Sequence, residues 1–82
     1  MFYVYVLRSE RNGRYYIGST GDLANRILQR NAGMTKSTKA LRPWELIHQE
    51  QFESLAEARR REAQLKSWKS RTYLESQLNL PT

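Results

Sequence analysis

Two short runs of β-branched and aromatic residues stand almost back to back at the start of the chain. They restrict its fold more than any other feature. In residues 2–8 (FYVYVLR), Phe2, Val4 and Val6 share one face of a strand and Tyr3, Tyr5 and Leu7 the other. Residues 14–18 (RYYIG) have the same character, and Asn12-Gly13 between the runs is a turn signal. Strands this close, joined by a turn, pair as an antiparallel hairpin. Gly18 is read as the end of the second strand.

The remaining elements follow from caps and periodicity. Asp22 is a suitable N-cap for a helix from Leu23 to about Asn31, stopped at Gly33. A polar, basic loop (GMTKSTKALRP) precedes a third strand at 44–52 (WELIHQEQF). Ser54 and Glu57 form a capping box that opens a helix from Leu55 to about Lys69. A short helix at 72–78 follows, ended by Pro81. The order β-β-α-β-α-α predicts an α/β fold over residues 1–82, a small three-stranded, mostly antiparallel sheet flanked by helices. Repeats, low-complexity tracts and linkers are absent from the sequence.

With 82 residues, such a chain buries only about 60% of its unfolded surface, so it is read as one domain. It has no cysteine, which excludes a disulfide scaffold, a thiolate zinc finger and a thiol nucleophile. With one histidine, a multi-histidine metal site is excluded as well. Fourteen Lys and Arg against eight Asp and Glu leave a net charge of +6, which points to a polyanion partner. A solvated basic surface is the plainer explanation of the same charge. No apolar run approaches the ~18 residues of a membrane span, and the N-terminus has neither a basic n-region nor a small-residue cleavage site. The expectation is a cytoplasmic protein without membrane contact.

Three features break the pattern of a simple core. Glu62 falls inside the apolar stripe of Leu55, Ala58 and Leu65, where a carboxylate must be paired, hydrogen-bonded or metal-bound. A salt bridge to a nearby arginine is the structural alternative. Arg26 and Arg30 are i,i+4 neighbours beside Leu23 and Ile27. They read either as a guanidinium clamp on phosphate or as two stems covering the core edge. Four of the five tyrosines lie in the first hairpin, where packing is the ordinary role and proton transfer the functional one.

Together these residues resemble a known family. Tyr3-Val4-Tyr5, and Tyr16-Ile17-Gly18 after a ten-residue interval, are similar to the paired signature of GIY-YIG nucleases, with Tyr3 where that family usually has glycine. Arg26 stands where the family carries its helix arginine, and Glu62 where it carries its metal-binding glutamate. The resemblance covers about residues 2–71 and is greatest to small stand-alone bacterial members. It implies phosphodiester hydrolysis with one divalent metal, Mg²⁺ or Mn²⁺, held by Glu62. It also implies that Tyr5 takes a proton from the attacking water, that Tyr16 positions water or substrate, and that Arg26 holds the scissile phosphate. Arg30 replaces a histidine common among relatives, and Leu74 an asparagine. His48 is read as structural.

The expected function is therefore a metal-dependent endonuclease acting on DNA, or on RNA. Its sequence specificity should be low, because the chain offers no second module to place in a groove. Structure selectivity and a protein partner for targeting accompany that reading. The site expected is a solvent-open groove lined by Tyr5, Tyr16, Arg26 and Glu62, with Arg30, Lys36, Lys39 and Arg42 on its basic rim. A catalytically weak or inactive nucleic-acid-binding module is the alternative, and a structural or ribosome-associated protein a third.

Overall fold

The computed structural model describes residues 1–33 and 39–80. The elements run β1 (Phe2–Ser9), β2 (Tyr15–Thr20), α1 (Leu23–Asn31), β3 (Trp44–Phe52), α2 (Leu55–Ser67) and α3 (Arg71–Leu78). The strands form an antiparallel sheet in the order β2-β1-β3. The expected α/β architecture is the one observed.

Because β1 is central, both of its faces are covered. Val4, Tyr5, Val6 and Leu7 are all fully buried. Val4 and Val6 pack with Ala58, Leu65, Leu74 and Leu80 beneath α2 and α3. Tyr5 and Leu7 pack with Trp44 on the opposite face, covered by Leu23 and Ile27 of α1. The amphipathic helices thus bury their apolar stripes against the two sides of one strand.

The caps behave as their residues predict. Asp22 accepts from the Asn25 N–H, Ser54 from Glu57 and Ser70 from Tyr73. Gly33, at φ 77°, follows the end of α1 in the left-handed region. The Asn31 side chain then pairs with both backbone groups of Trp44, at 2.6 and 3.2 Å, and so ties α1 to the start of β3.

Three boundaries differ from the sequence reading. β2 does not stop at Gly18 but continues to Thr20, since Gly18 lies inside the ladder opposite Tyr5. α2 ends at Ser67 rather than Lys69, because Trp68 leaves helical geometry and sets its ring edge-on to Tyr73 at 5.2 Å. α3 ends on Asn79 in the left-handed conformation, not on Pro81, which lies outside the described residues. Leu74, the residue in place of the family's asparagine, is a core side chain.

Candidate nucleic-acid-processing site

The tyrosines are positioned by the β1–β2 register. Tyr5 lies opposite Gly18, and Leu7 opposite Tyr16, so all four positions face α1. The Tyr5 and Tyr16 rings stack at 6.5 Å between centroids, and Trp44 meets Tyr16 edge-on at 6.1 Å. The Tyr5 hydroxyl leans over Gly18, is fully buried, and has no hydrogen-bond partner among the described residues.

Gly18 makes that placement feasible. A Cβ built there would lie 2.7 Å from Tyr5 Cζ and nearer still to its oxygen. The ring is rigid and enclosed, so it has no room to retreat. Gly18→Ala is therefore expected to cost about 1–3 kcal/mol through overpacking. Thermal unfolding checks this, and a melting temperature equal to wild type would show that the ring can move aside.

Arg30 projects from α1 onto the same tyrosine. Its Nη2 donates to the Tyr16 hydroxyl at 2.6 Å, and its guanidinium carbon lies 4.4 Å from the Tyr16 ring centroid. Burial of this cation, only 7% exposed, is offset by the phenol oxygen and the ring face. Arg26 is half-buried on the flank of α1 that carries Arg30, about 200° round the helix from Ala24. Among the described residues the Arg26 side chain has no hydrogen bond or ion pair.

Glu62 reaches the same edge strand from the other side. Its carboxylate accepts from Ser19 Oγ at 2.5 Å and from Lys66 Nζ at 2.7 Å. Ser19 follows Gly18 directly but faces α2 by strand alternation. Burial alone would raise the Glu62 pKa. The hydrogen bonds from Lys66 and Ser19, with the charges of Lys66 and Arg59, together outweigh it and hold the carboxyl below its ordinary value. The structural alternative of an arginine salt bridge is replaced by this i,i+4 lysine pair.

The expectation of one open groove is corrected at two positions. Tyr5 is sealed in the core because β1 is the middle strand. Arg30 is buried on Tyr16 rather than displayed on a rim. What connects the two sides is a recess at the β2 edge, lined by Tyr15, Tyr16, Ile17, Leu65, Lys66 and Trp68. It brings Tyr16 and the lysine that holds Glu62 onto one surface. Of the basic residues expected at the rim, exposed Lys39 and half-buried Arg42 line a separate recess with Arg11. Lys36 lies outside the described residues.

Two neighbouring networks are structural. Arg61 donates to Glu50 at 2.8 and 3.1 Å, and His48 pairs with the same carboxylate at 2.8 Å. One member of the Arg59-Arg60-Arg61 run is thus turned inward, while Arg59 and Arg60 remain exposed. The Tyr15 hydroxyl donates to Glu75, which also accepts from Arg71 at 3.3 Å. Burial, then this bond to Glu75, raises the Tyr15 pKa.

Glu50 and Glu62 both have pKa values lowered from 4.5: burial opposes the shift, and their cationic hydrogen-bond partners prevail. Glu75 is lowered too, chiefly by the Tyr15 hydroxyl. A depressed carboxylate stabilises the fold above its unfolded pKa, and that contribution disappears as pH falls through the folded value. The melting temperature should accordingly hold steady down to pH of about 5 and fall below about 4.5. Glu50→Gln should flatten that fall. A calorimetric series over pH 3–7 with identical slopes for wild type and Glu50→Gln would contradict this assignment.

Sequence reasoning missed two participants, Ser19 and Lys66. The i,i+4 spacing of Glu62 and Lys66 is a readable signal. Ser19 becomes visible only once α2 is packed on β2.

The model of the GIY-YIG catalytic domain matches residues 1–75 of this chain. The chain belongs to the GIY-YIG family. A UPF0213 protein of Staphylococcus saprophyticus is 36% identical over 67 residues, covering 80% of both chains. Another, from Halobacterium salinarum, is 42% identical over 67 residues, covering 80% of this chain and 86% of its own. The solution NMR structure of the Bacillus halodurans UPF0213 protein BH0048 is similar at a TM-score of 0.61 and 33% identity. That likeness covers 96% of this chain and 84% of the other. The GIY-YIG domain is nuclease-type, so nucleic acid is its substrate class. No helix among the described residues is long and apolar enough to cross a membrane.

The family implies a divalent cation, and the donor set at Glu62 fits one. The carboxylate is held ionised, and the Lys66 ammonium at 2.7 Å already occupies a cation position on it. Mg²⁺ is commonly bound through one or two carboxylates, with water and substrate oxygens completing the shell. Among the described residues no three His, Cys, Asp or Glu side chains gather into a preformed cage.

Proposed function

We propose that this chain is a single-domain, metal-dependent endonuclease that hydrolyses phosphodiester bonds in DNA with low sequence specificity and some selectivity for structure. The observation that carries the reading is the convergence on consecutive residues of β2. The Tyr5 hydroxyl rests over Gly18, and the Glu62 carboxylate is bound to Ser19. Beside Tyr5 on the α1 face stands Tyr16, oriented by Arg30, and one turn earlier on α1 is Arg26, without a protein counter-charge among the described residues.

Glu62 would hold Mg²⁺ or Mn²⁺, which when bound supplies charge neutralisation at the scissile phosphate and the leaving oxygen. Arg26 holds a phosphate oxygen and stabilises charge that develops there. Tyr16 presents its O–H to the incoming water, since its oxygen already accepts from Arg30. Tyr5 relays the proton: its oxygen takes it from the attacking water as its own hydroxyl proton passes to a second water. Its buried hydroxyl gains a partner only when a water or substrate oxygen enters at the β2 edge. Lys39, Arg42 and Arg11, with Lys36, supply the cationic surroundings for the rest of the strand. The chain acts in the cytoplasm, and a protein partner supplies its targeting.

The alternative, a binding module with little turnover, draws on one specific observation. Lys66 already neutralises Glu62, and Tyr5 is closed to solvent. Incubating branched, single-stranded and duplex DNA with the protein in Mg²⁺, Mn²⁺ or EDTA tests both. Cleavage that requires the metal supports the nuclease. Salt-sensitive binding without cleavage under any of these conditions would establish the binding module instead.

A further inference from the structure

A second recess lies on the α1 face, on the β3 side of that helix. It has a volume of about 500 Å³, within the size range of small-ligand sites, and opens to solvent. Leu23, Ile27 and Leu46 form apolar walls, Tyr3 contributes an aromatic ring, and Asp22 and Gln49 contribute polar groups. Neither lysine nor arginine lines it among the described residues, and Asp22 is its charged member. Such a recess does not suit phosphate. It suits an uncharged, flat, partly apolar group whose edge carries hydrogen-bond donors and acceptors.

Tyr3 is the informative residue. The other tyrosines of the hairpin are engaged: Tyr5 and Tyr16 with each other, and Tyr15 with Glu75 and Arg71. Tyr3 is half-exposed, and its side chain makes no ring contact, hydrogen bond or ion pair among the described residues. It lies two residues before Tyr5 on the same face of β1, about 7 Å along the strand.

We infer that this recess binds one unpaired nucleobase, stacked on the Tyr3 ring, next to the phosphate held by Arg26. The inference rests on the proposed nuclease reading and names its substrate class: nucleic acid with an unpaired nucleotide beside the cleaved bond, as in a single strand, flap or branch. Aromatic stacking tolerates any base, which agrees with low sequence specificity. The Gln49 amide and the Asp22 carboxylate meet the base edge. Paired bases cannot enter, because their faces are covered by the stack.

The test uses the full chain in EDTA and an oligonucleotide with a single 2-aminopurine, as a single strand and within a duplex. Binding of the single strand should quench 2-aminopurine fluorescence, and binding of the duplex should not. Tyr3→Ala should lose the quenching and weaken single-strand affinity about tenfold, leaving duplex affinity unchanged. Tyr3→Phe should retain both properties. Tyr3→Leu keeps apolar bulk without a π face and should behave as Tyr3→Ala, which guards against a loss caused by misfolding. Equal quenching in wild type, Tyr3→Ala and Tyr3→Leu would overturn the inference, as would equal affinity for single strand and duplex. Failure to bind any oligonucleotide would remove both this site and the nuclease reading. Tyr3-dependent quenching without cleavage in Mg²⁺ would leave the base site standing and remove the nuclease reading alone.

Discussion

Glu62→Gln should reduce metal-dependent cleavage by about 10²–10³-fold while DNA binding persists or tightens. Glutamine preserves the shape and still accepts from Ser19 Oγ, but it removes the charge that would hold a divalent cation. Binding tightens if the wild-type carboxylate faces phosphate with no metal between them. The stability cost should be small. Lys66 is 54% exposed, so its ion pair with Glu62 is screened, and its loss costs less than about 1 kcal/mol. Cleavage kinetics and thermal melts of the same preparations decide the matter. Unchanged cleavage would end the metal-ligand assignment. A loss of several kcal/mol would show instead that the carboxylate is structural, its removal stranding cations packed on α2.

Tyr5→Phe should separate stability from activity in the opposite sense. The Tyr5 hydroxyl is buried without a partner among the described residues, and an unsatisfied buried hydroxyl costs about 1–3 kcal/mol. Its removal should leave stability unchanged or raise it by about 1 kcal/mol, or roughly 4–8 °C in melting temperature for a domain of this size. Cleavage should fall by about 10²-fold or more if this oxygen accepts the proton of the attacking water. A retained rate would transfer that role to Tyr16. A clear loss of stability would show that the hydroxyl is bonded, most simply to an internal water, and therefore structural. A functional group kept at a stability cost is the expected pattern where an active site breaks the rules of packing.

The two tests address different halves of the site. Glu62 approaches β2 from the α2 side and Tyr5 from the α1 side, with the Gly18–Ser19 backbone between them. Loss of cleavage in both variants would support one reaction centre spanning this edge. The recess at the β2 edge carries Tyr16 from one half and Lys66, the partner of Glu62, from the other. Lys66 must then yield its place on Glu62, which its exposed stem permits.

Local signals determined much of this protein. The Asn12-Gly13 turn joined the first two strands, Asp22 and Ser54 started their helices, and Gly33 followed the end of α1. Each is a contact between residues a few positions apart, so the residue types alone specify it. The order of elements, and with it the family signature of Tyr5, Tyr16, Arg26 and Glu62, was legible for that reason. Tertiary structure decided what those residues experience. That β1 is the middle strand depends on its pairing with β3, some forty residues away. That pairing buries Tyr5, which alternation alone left free to face solvent. The Tyr5 ring needs the space above Gly18, so the glycine that reads as a strand end lies inside the ladder. Arg30 reads as a rim cation, yet helix packing places it on Tyr16. Ser19 acquires meaning only from Glu62, 43 residues later. Desolvation and partnership are properties of the packed whole, and no short window of sequence contains them.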